Sequence, residues 1–85
     1  MADSESVVHG PSIAQVADAM HALLVEYHGR KRFTAGDLQR EMQARFGRDH
    51  CDRALCKAAI KALMDDGRTV YGYAGGSWIE PVVDR

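Results

Sequence analysis

One stretch limits the folds open to this chain: Asp49 to Gly67, DHCDRALCKAAIKALMDDG. Advanced by about 100° per residue, its side chains separate into two stripes. Leu55, Cys56, Ala59, Ile60 and Leu63 fall on one side, and His50, Arg53, Lys57 and Lys61 on the other. Arg53, Lys57 and Lys61 recur at every fourth position, which lines them up along one helix face. No acidic side chain breaks that stripe, and Ala54 and Ala58 beside it let a flat surface approach closely. Asp49 reads as the N-cap of this helix, with Asp52 completing the capping box. Most charged helix faces are simply solvated, so the meaning of the stripe depends on its neighbours.

Residues 1–11 read as a flexible tail, punctuated by Gly10-Pro11. Ser12 and Gln15 have the spacing of a capping box, in which each side chain satisfies the other's backbone N–H. Ile13, Val16, Ala17, Met20, Leu23, Leu24 and Tyr27 then keep helical spacing, and Gly29 is a good terminator. Arg30-Lys31-Arg32-Phe33 connects to the next helix, with Phe33 expected in the core on a short strand. Thr34 caps the second helix and Asp37 completes its box. Leu38, Met42 and Phe46 form the buried stripe there, and Gly47 closes it. Gly47-Arg48 is the expected turn into the third helix.

Asp65-Asp66-Gly67 ends the third helix. Two acids at that end oppose the helix dipole, at about 0.3–1 kcal/mol each if exposed, and nothing nearby in sequence accounts for them. Arg68–Tyr73 and Ser77–Glu80 are β-rich runs on either side of Ala74-Gly75-Gly76, the pattern of a hairpin stopped by Pro81. Alternation puts Val70 opposite Tyr71 and Tyr73, and Gly72 marks a bulge or a close approach. Trp78 has two readings, a core anchor under the hairpin or an exposed stacking residue. Residues 12–81 form the expected domain and 82–85 a short tail.

Eighty-five residues suffice for one small domain with one core. No apolar run approaches the ~20 residues of a membrane span, and the acidic N-terminus does not read as a secretory signal, so a cytoplasmic protein with no membrane partner is expected. The net charge is −1, but it is segregated. Between His28 and Lys61 there are nine basic residues against four acidic ones, while eight acids stand against Arg68 and Arg85 elsewhere. A basic middle between acidic ends suits a local anion-binding patch, and the outlying acids limit non-specific binding.

Cys51 and Cys56 are five residues apart, which on a continuous helix separates them by about 140°. That geometry predicts no disulfide between them and no CxxC redox pair. His50, Cys51 and Cys56 do not converge, so no metal and no cofactor is expected. An enzyme is also not expected. The glycines from Gly72 to Gly76 lack the Lys-Ser/Thr of a phosphate-binding loop, and no Ser-His-Asp or Cys-His spacing is present.

Three helices, a short connector after the first and a closing hairpin resemble the winged helix-turn-helix domains: α+β, mainly α. Leu63-Met64-Asp65-Asp66-Gly67-Arg68-Thr69-Val70 is similar to the recognition-helix-to-wing junction of MarR-like and LexA-like DNA-binding domains. Trp78 and Pro81 also close the hairpin much as in the Z-nucleic-acid-binding winged helices. Those use an Asn and a Tyr where this chain has Lys57 and Lys61, so that function is not carried over.

The winged-helix resemblance implies a small DNA-binding protein, a transcriptional regulator that inserts helix 49–66 into the major groove with hairpin 68–80 as the wing. Arg53 and Lys57 are the candidates for base edges, since Arg and Lys suit guanine acceptors. Arg48, Lys61, Lys31 and Arg32 would hold phosphates, with Arg48 and His50 at the helix start. Arg68, Tyr71 and Tyr73 would reach the backbone or minor groove. Val7, Val8, Val82 and Val83 offer a homodimer surface, as two half-sites would require. The alternative reading is a winged-helix protein–protein interaction module within a larger complex, with the basic helix meeting an acidic partner.

Overall fold

A computed structural model describes residues 11–73 and 75–82. Among these the order is α1 (Ile13–Glu26), α2 (Ala35–Phe46), a 3-10 turn (Arg48–His50), α3 (Arg53–Asp65), β1 (Thr69–Gly72) and β2 (Trp78–Pro81). The fold is α+β, mainly α, and the three helices followed by an antiparallel hairpin are compatible with winged-helix topology. No helix among the described residues is long and apolar enough to cross a membrane.

Local chemistry sets the helix starts. Ser12 Oγ accepts from Gln15 N at 3.1 Å while Gln15 Oε1 accepts from Ser12 N at 2.8 Å. At α2, Thr34 Oγ1 accepts from Asp37 N at 3.0 Å and Asp37 Oδ2 accepts from Thr34 N at 3.1 Å. Both reciprocal boxes are those expected, and each satisfies N–H groups that a helix leaves without partners.

The third helix departs from expectation. It starts at Arg53, and its cap is Asp52, whose Oδ1 accepts from Leu55 N at 2.8 Å. Asp49 instead lies in the 3-10 turn, closed by His50 N donating to Gly47 O at 3.1 Å. Gly47 enters this turn at φ 101°, a conformation strained for residues with a Cβ. Cys51 then extends at φ −138° and buries its side chain completely. Gln43 Nε2 donates to Cys51 O at 3.2 Å. Burying the Cys51 side chain and pairing its carbonyl replace the helical turn that local pattern predicts.

The end of α3 follows the sequence closely. Arg68 N donates to Leu63 O and Gly67 N to Met64 O, both at 3.0 Å, with Gly67 at φ 76°. This is the Schellman arrangement, which satisfies the last carbonyls and turns the chain out of the helix. The hairpin pairs Thr69 with Pro81, Val70 with Glu80, Tyr71 with Ile79 and Gly72 with Trp78 in unbroken register. Gly72 therefore marks a close approach and not a bulge: a Cβ there would meet the Glu80 carboxylate. On the other edge of β2, Ile79 N donates to Phe33 O at 2.8 Å. The connector after α1 thus supplies a one-residue bridge, and β2 lies between Phe33 and β1.

The core is where these elements meet. Val16, Ala17, Met20, Leu23 and Leu24 of α1 face Cys56, Ala59, Ile60 and Leu63 of α3. Leu38 and Met42 of α2, Phe33, Cys51 and Ile79 complete it. Each fully buried Leu, Met or Phe contributes about 1.5–3 kcal/mol of transfer free energy. Phe46 and Trp78 are only partly buried. Among the described residues one polar side chain is sealed in: Thr69 is 1 % exposed, and its Oγ1 has no hydrogen-bond partner there.

Two measurements check these assignments. Thr69→Val removes the unsatisfied hydroxyl, so the urea midpoint should rise, corresponding to up to about 1–3 kcal/mol. The Thr34 backbone N–H, with burial partly opposing it, holds the Asp37 carboxyl below its usual value of 3.8; Thr34 Oγ1, Arg40 and Lys31 add to the lowering. Its contribution is complete above the ordinary aspartate value and disappears as the pH falls through the lowered folded value. Wild type should therefore exceed Asp37→Asn in stability at neutral pH, and that advantage should vanish on acid titration.

Candidate functional site

Packing the apolar face of α3 turns Arg53, Lys57 and Lys61 outward, and all three are exposed. They border a groove of about 820 Å³ between α3, the start of α2 and the hairpin. Cys56, Ala58, Ile60 and Met64 contribute its α3 wall, Ala35, Gly36 and Gln39 the α2 wall, and Tyr71 the hairpin side. The groove combines an apolar floor with a basic rim. Ala35, Gly36 and Ala58 keep it open because they have little or no side chain.

The rim cations are not equivalent. Lys61 Nζ lies 3.0 Å from Asp65 Oδ2, one turn on, with both groups exposed. Arg53 and Lys57 have no ion pair among the described residues. Tyr71 stacks with Tyr73 at 6.2 Å between ring centroids and an interplanar angle of 29°. Tyr73 is 73 % exposed, the most open of the large hydrophobic side chains described.

The other residues singled out in the sequence do not join this groove. Arg48 and His50 are exposed, but they belong to the 3-10 turn, which Cys51 and Asp52 separate from the start of α3. The expectation that they stand at the helix N-terminus is corrected by the later cap at Asp52. Lys31 and Arg32 border a separate cleft of about 670 Å³, together with Leu24, His28, Trp78 and Glu80. There Lys31 Nζ lies 5.1 Å from the Phe33 ring centre, and the Arg32 guanidinium 5.9 Å from the Trp78 ring. These are cation–π distances. Trp78 is thus a half-buried platform for Arg32, between its two sequence readings.

Arg68 is drawn into a network. Its NH1 donates to Asp18 Oδ1 at 2.9 Å and its NH2 to Asp66 Oδ2 at 3.2 Å. Asp18 first, then Asp66, raise its already high pKa, against an opposing effect of burial. With the Lys61–Asp65 pair, this accounts for the two acids at the end of α3. Each has a cation, one within the helix and one just beyond it.

Sequence reasoning missed the α2 wall of the groove. Ala35, Gly36 and Gln39 carry no charge or motif, and only the packing of α2 against α3 brings them there. It also missed the contact between Cys51 and Cys56, whose Sγ atoms are 3.6 Å apart. The expected 140° separation assumed one continuous helix, whereas Cys51 precedes the helix. Burial and the neighbouring Cys51 sulfur push the Cys56 thiol up to about 12. Val7, Val8 and Val83, half of the expected dimer surface and more, lie outside the described residues; Val82 is exposed.

Comparison with protein-family models, curated proteins and solved structures gives no match.

Because both Asp18 and Arg68 are on the surface, their ion pair adds little to stability. Asp18→Ala should leave the denaturation midpoint almost unchanged. Chemical denaturation monitored by far-UV circular dichroism checks this.

Proposed function

We propose that this chain is a small DNA-binding protein, a cytoplasmic transcriptional regulator of the winged helix-turn-helix type, that presents α3 to the major groove of duplex DNA. The observation that carries this reading is the exposed Arg53, Lys57 and Lys61 ridge along α3, bordered by the hairpin residue Tyr71. In this reading Arg53 and Lys57 donate to guanine O6 and N7. Lys61 exchanges Asp65 for a phosphate. Tyr71 and Tyr73 meet the backbone or minor groove. Arg48 and His50 contact phosphates flanking the helix. Arg68 positions the hairpin through Asp18 and Asp66 in this reading and does not itself bind. One domain covers one half-site, and a homodimer supplies the second.

A second reading is favoured by one specific feature. The floor of the groove is apolar at Cys56, Ile60 and Met64. A protein segment with an apolar anchor and acidic flanks would fill it, making the chain an interaction module within a larger complex. The two readings separate on salt. Counterion release makes DNA binding fall steeply and log-linearly with salt, by about 0.9 in slope per phosphate contact.

Titration of mixed-sequence duplex DNA at several salt concentrations, read by fluorescence anisotropy, tests the first reading. Binding should weaken steeply with salt and disappear in the Arg53→Glu/Lys57→Glu variant, while its circular dichroism stays unchanged. Undiminished binding by that folded variant would sink the α3 assignment. Absence of binding even at low salt would favour the protein module.

A further inference from the structure

The chain has two cysteines, both unbonded, and the fold brings them together. Cys51 stands between the 3-10 turn and α3 and is 0 % exposed; Cys56 is in the first turns of α3 and is 2 % exposed. Their sulfurs are 3.6 Å apart, and Cys56 Sγ lies 3.8 Å from Cys51 O. A disulfide needs ~2.05 Å, so the sulfurs are in contact but short of a bond. The remaining approach falls on Cys51, which is outside the helix and adjoins the Gly47 turn. Cys56 borders the α3 groove, and Cys51, itself 0 % exposed, lies directly behind it. No third ligand joins them: among the described residues no group of three or more His, Cys, Asp or Glu is arranged to hold a metal.

We propose that Cys51 and Cys56 form an oxidation site at which a hydroperoxide closes an intramolecular disulfide across the start of α3. Cys51 acts first, because it stands ahead of the helix and can move toward an incoming oxidant, whereas Cys56 is fixed within α3. The Cys51 sulfur attacks the peroxide oxygen, the O–O bond breaks, the departing alkoxide takes the Cys51 proton and leaves as the alcohol, and a sulfenic acid forms on Cys51. Cys56 then attacks the Cys51 sulfur, and the departing hydroxide takes the Cys56 proton and leaves as water. In sum, two thiols and one hydroperoxide become one disulfide, one water and one alcohol (a second water when the oxidant is hydrogen peroxide). The thiols lose two electrons and the peroxide gains them. The bond ties the Arg48–His50 turn to α3 immediately ahead of Arg53. It is independent of whether the groove beyond it binds DNA or protein.

The test uses the full reduced chain and graded hydrogen peroxide, followed by unfolding, alkylation and tryptic mass mapping. Trypsin cuts after Arg48, Arg53 and Lys57, so the peptides Asp49–Arg53 and Ala54–Lys57 separate unless the disulfide joins them. The expected result is the joined pair, loss of both alkylatable thiols, reversal by dithiothreitol and a higher thermal midpoint for the oxidised chain. Cys56→Ala should prevent the bond and leave a sulfenic acid on Cys51 that dimedone traps. Cys51→Ala should prevent the bond and leave Cys56 alkylatable, and circular dichroism confirms that both variants fold. Sulfinic or sulfonic acids without the joined peptide would overturn the proposal. So would disulfides predominantly between chains, or two intact thiols at doses that oxidise the methionines.

Discussion

Burial of one face of α3 is the constraint on which the remaining structure depends. Cys56, Ala59, Ile60 and Leu63 have to be covered, and α1 supplies the largest share of that cover. Once they are seated, the rotation of α3 about its axis is set, and Arg53, Lys57 and Lys61 point outward whatever their function. The Schellman turn at Gly67 then aims β1 back along the domain. The Ile79–Phe33 bridge ties the hairpin to the connector between α1 and α2. The groove results from this packing. It opens where α2, α3 and the hairpin diverge around small residues.

Features with a local cause were legible in the sequence. The caps at Ser12 and Thr34 need only a side chain and an N–H three residues apart. The apolar stripes of α1, α2 and α3 follow helical period, and the hairpin follows from its glycines. The start of α3 was not legible, because an acid three residues before another fits a capping box as well as it fits a 3-10 turn. What decided was tertiary: the core takes the Cys51 side chain, and Gln43 takes its carbonyl. That single difference displaced Arg48 and His50 from the helix and brought the two sulfurs together. In the candidate site, the basic ridge was readable. The α2 wall and the diversion of Lys31 and Arg32 to another cleft were not, since both depend on residues far apart in sequence.

The placement of the acids sharpens the electrostatics of the α3 face. Asp65 offsets Lys61, while Asp18 and Asp66 hold Arg68. All of these pairs cluster at the C-terminal end of α3 and the start of β1. Arg53 and Lys57 remain without an ion pair among the described residues. The ridge cations that lack an ion pair thus stand on the N-terminal half of α3, just after its Asp52 cap. A chain with a net charge of −1 can present a focused basic site in this way. Long-range attraction is weak, so such a site discriminates through close contact more than through steering.

That distribution also bears on how a ligand would be oriented. The two cations without ion pairs lie one helical turn apart, about 6 Å along the axis, near the spacing between adjacent phosphates or between bases and phosphates of one strand. Moving toward the C-terminus of α3, the same ridge meets Lys61 with its exchangeable partner and then Asp65 and Asp66. An anionic partner would therefore meet unpaired ridge cations toward the start of α3 and ion-paired ones toward the hairpin. Polarity along a single helix face is enough to define direction, which a uniformly basic helix of the same charge would not provide.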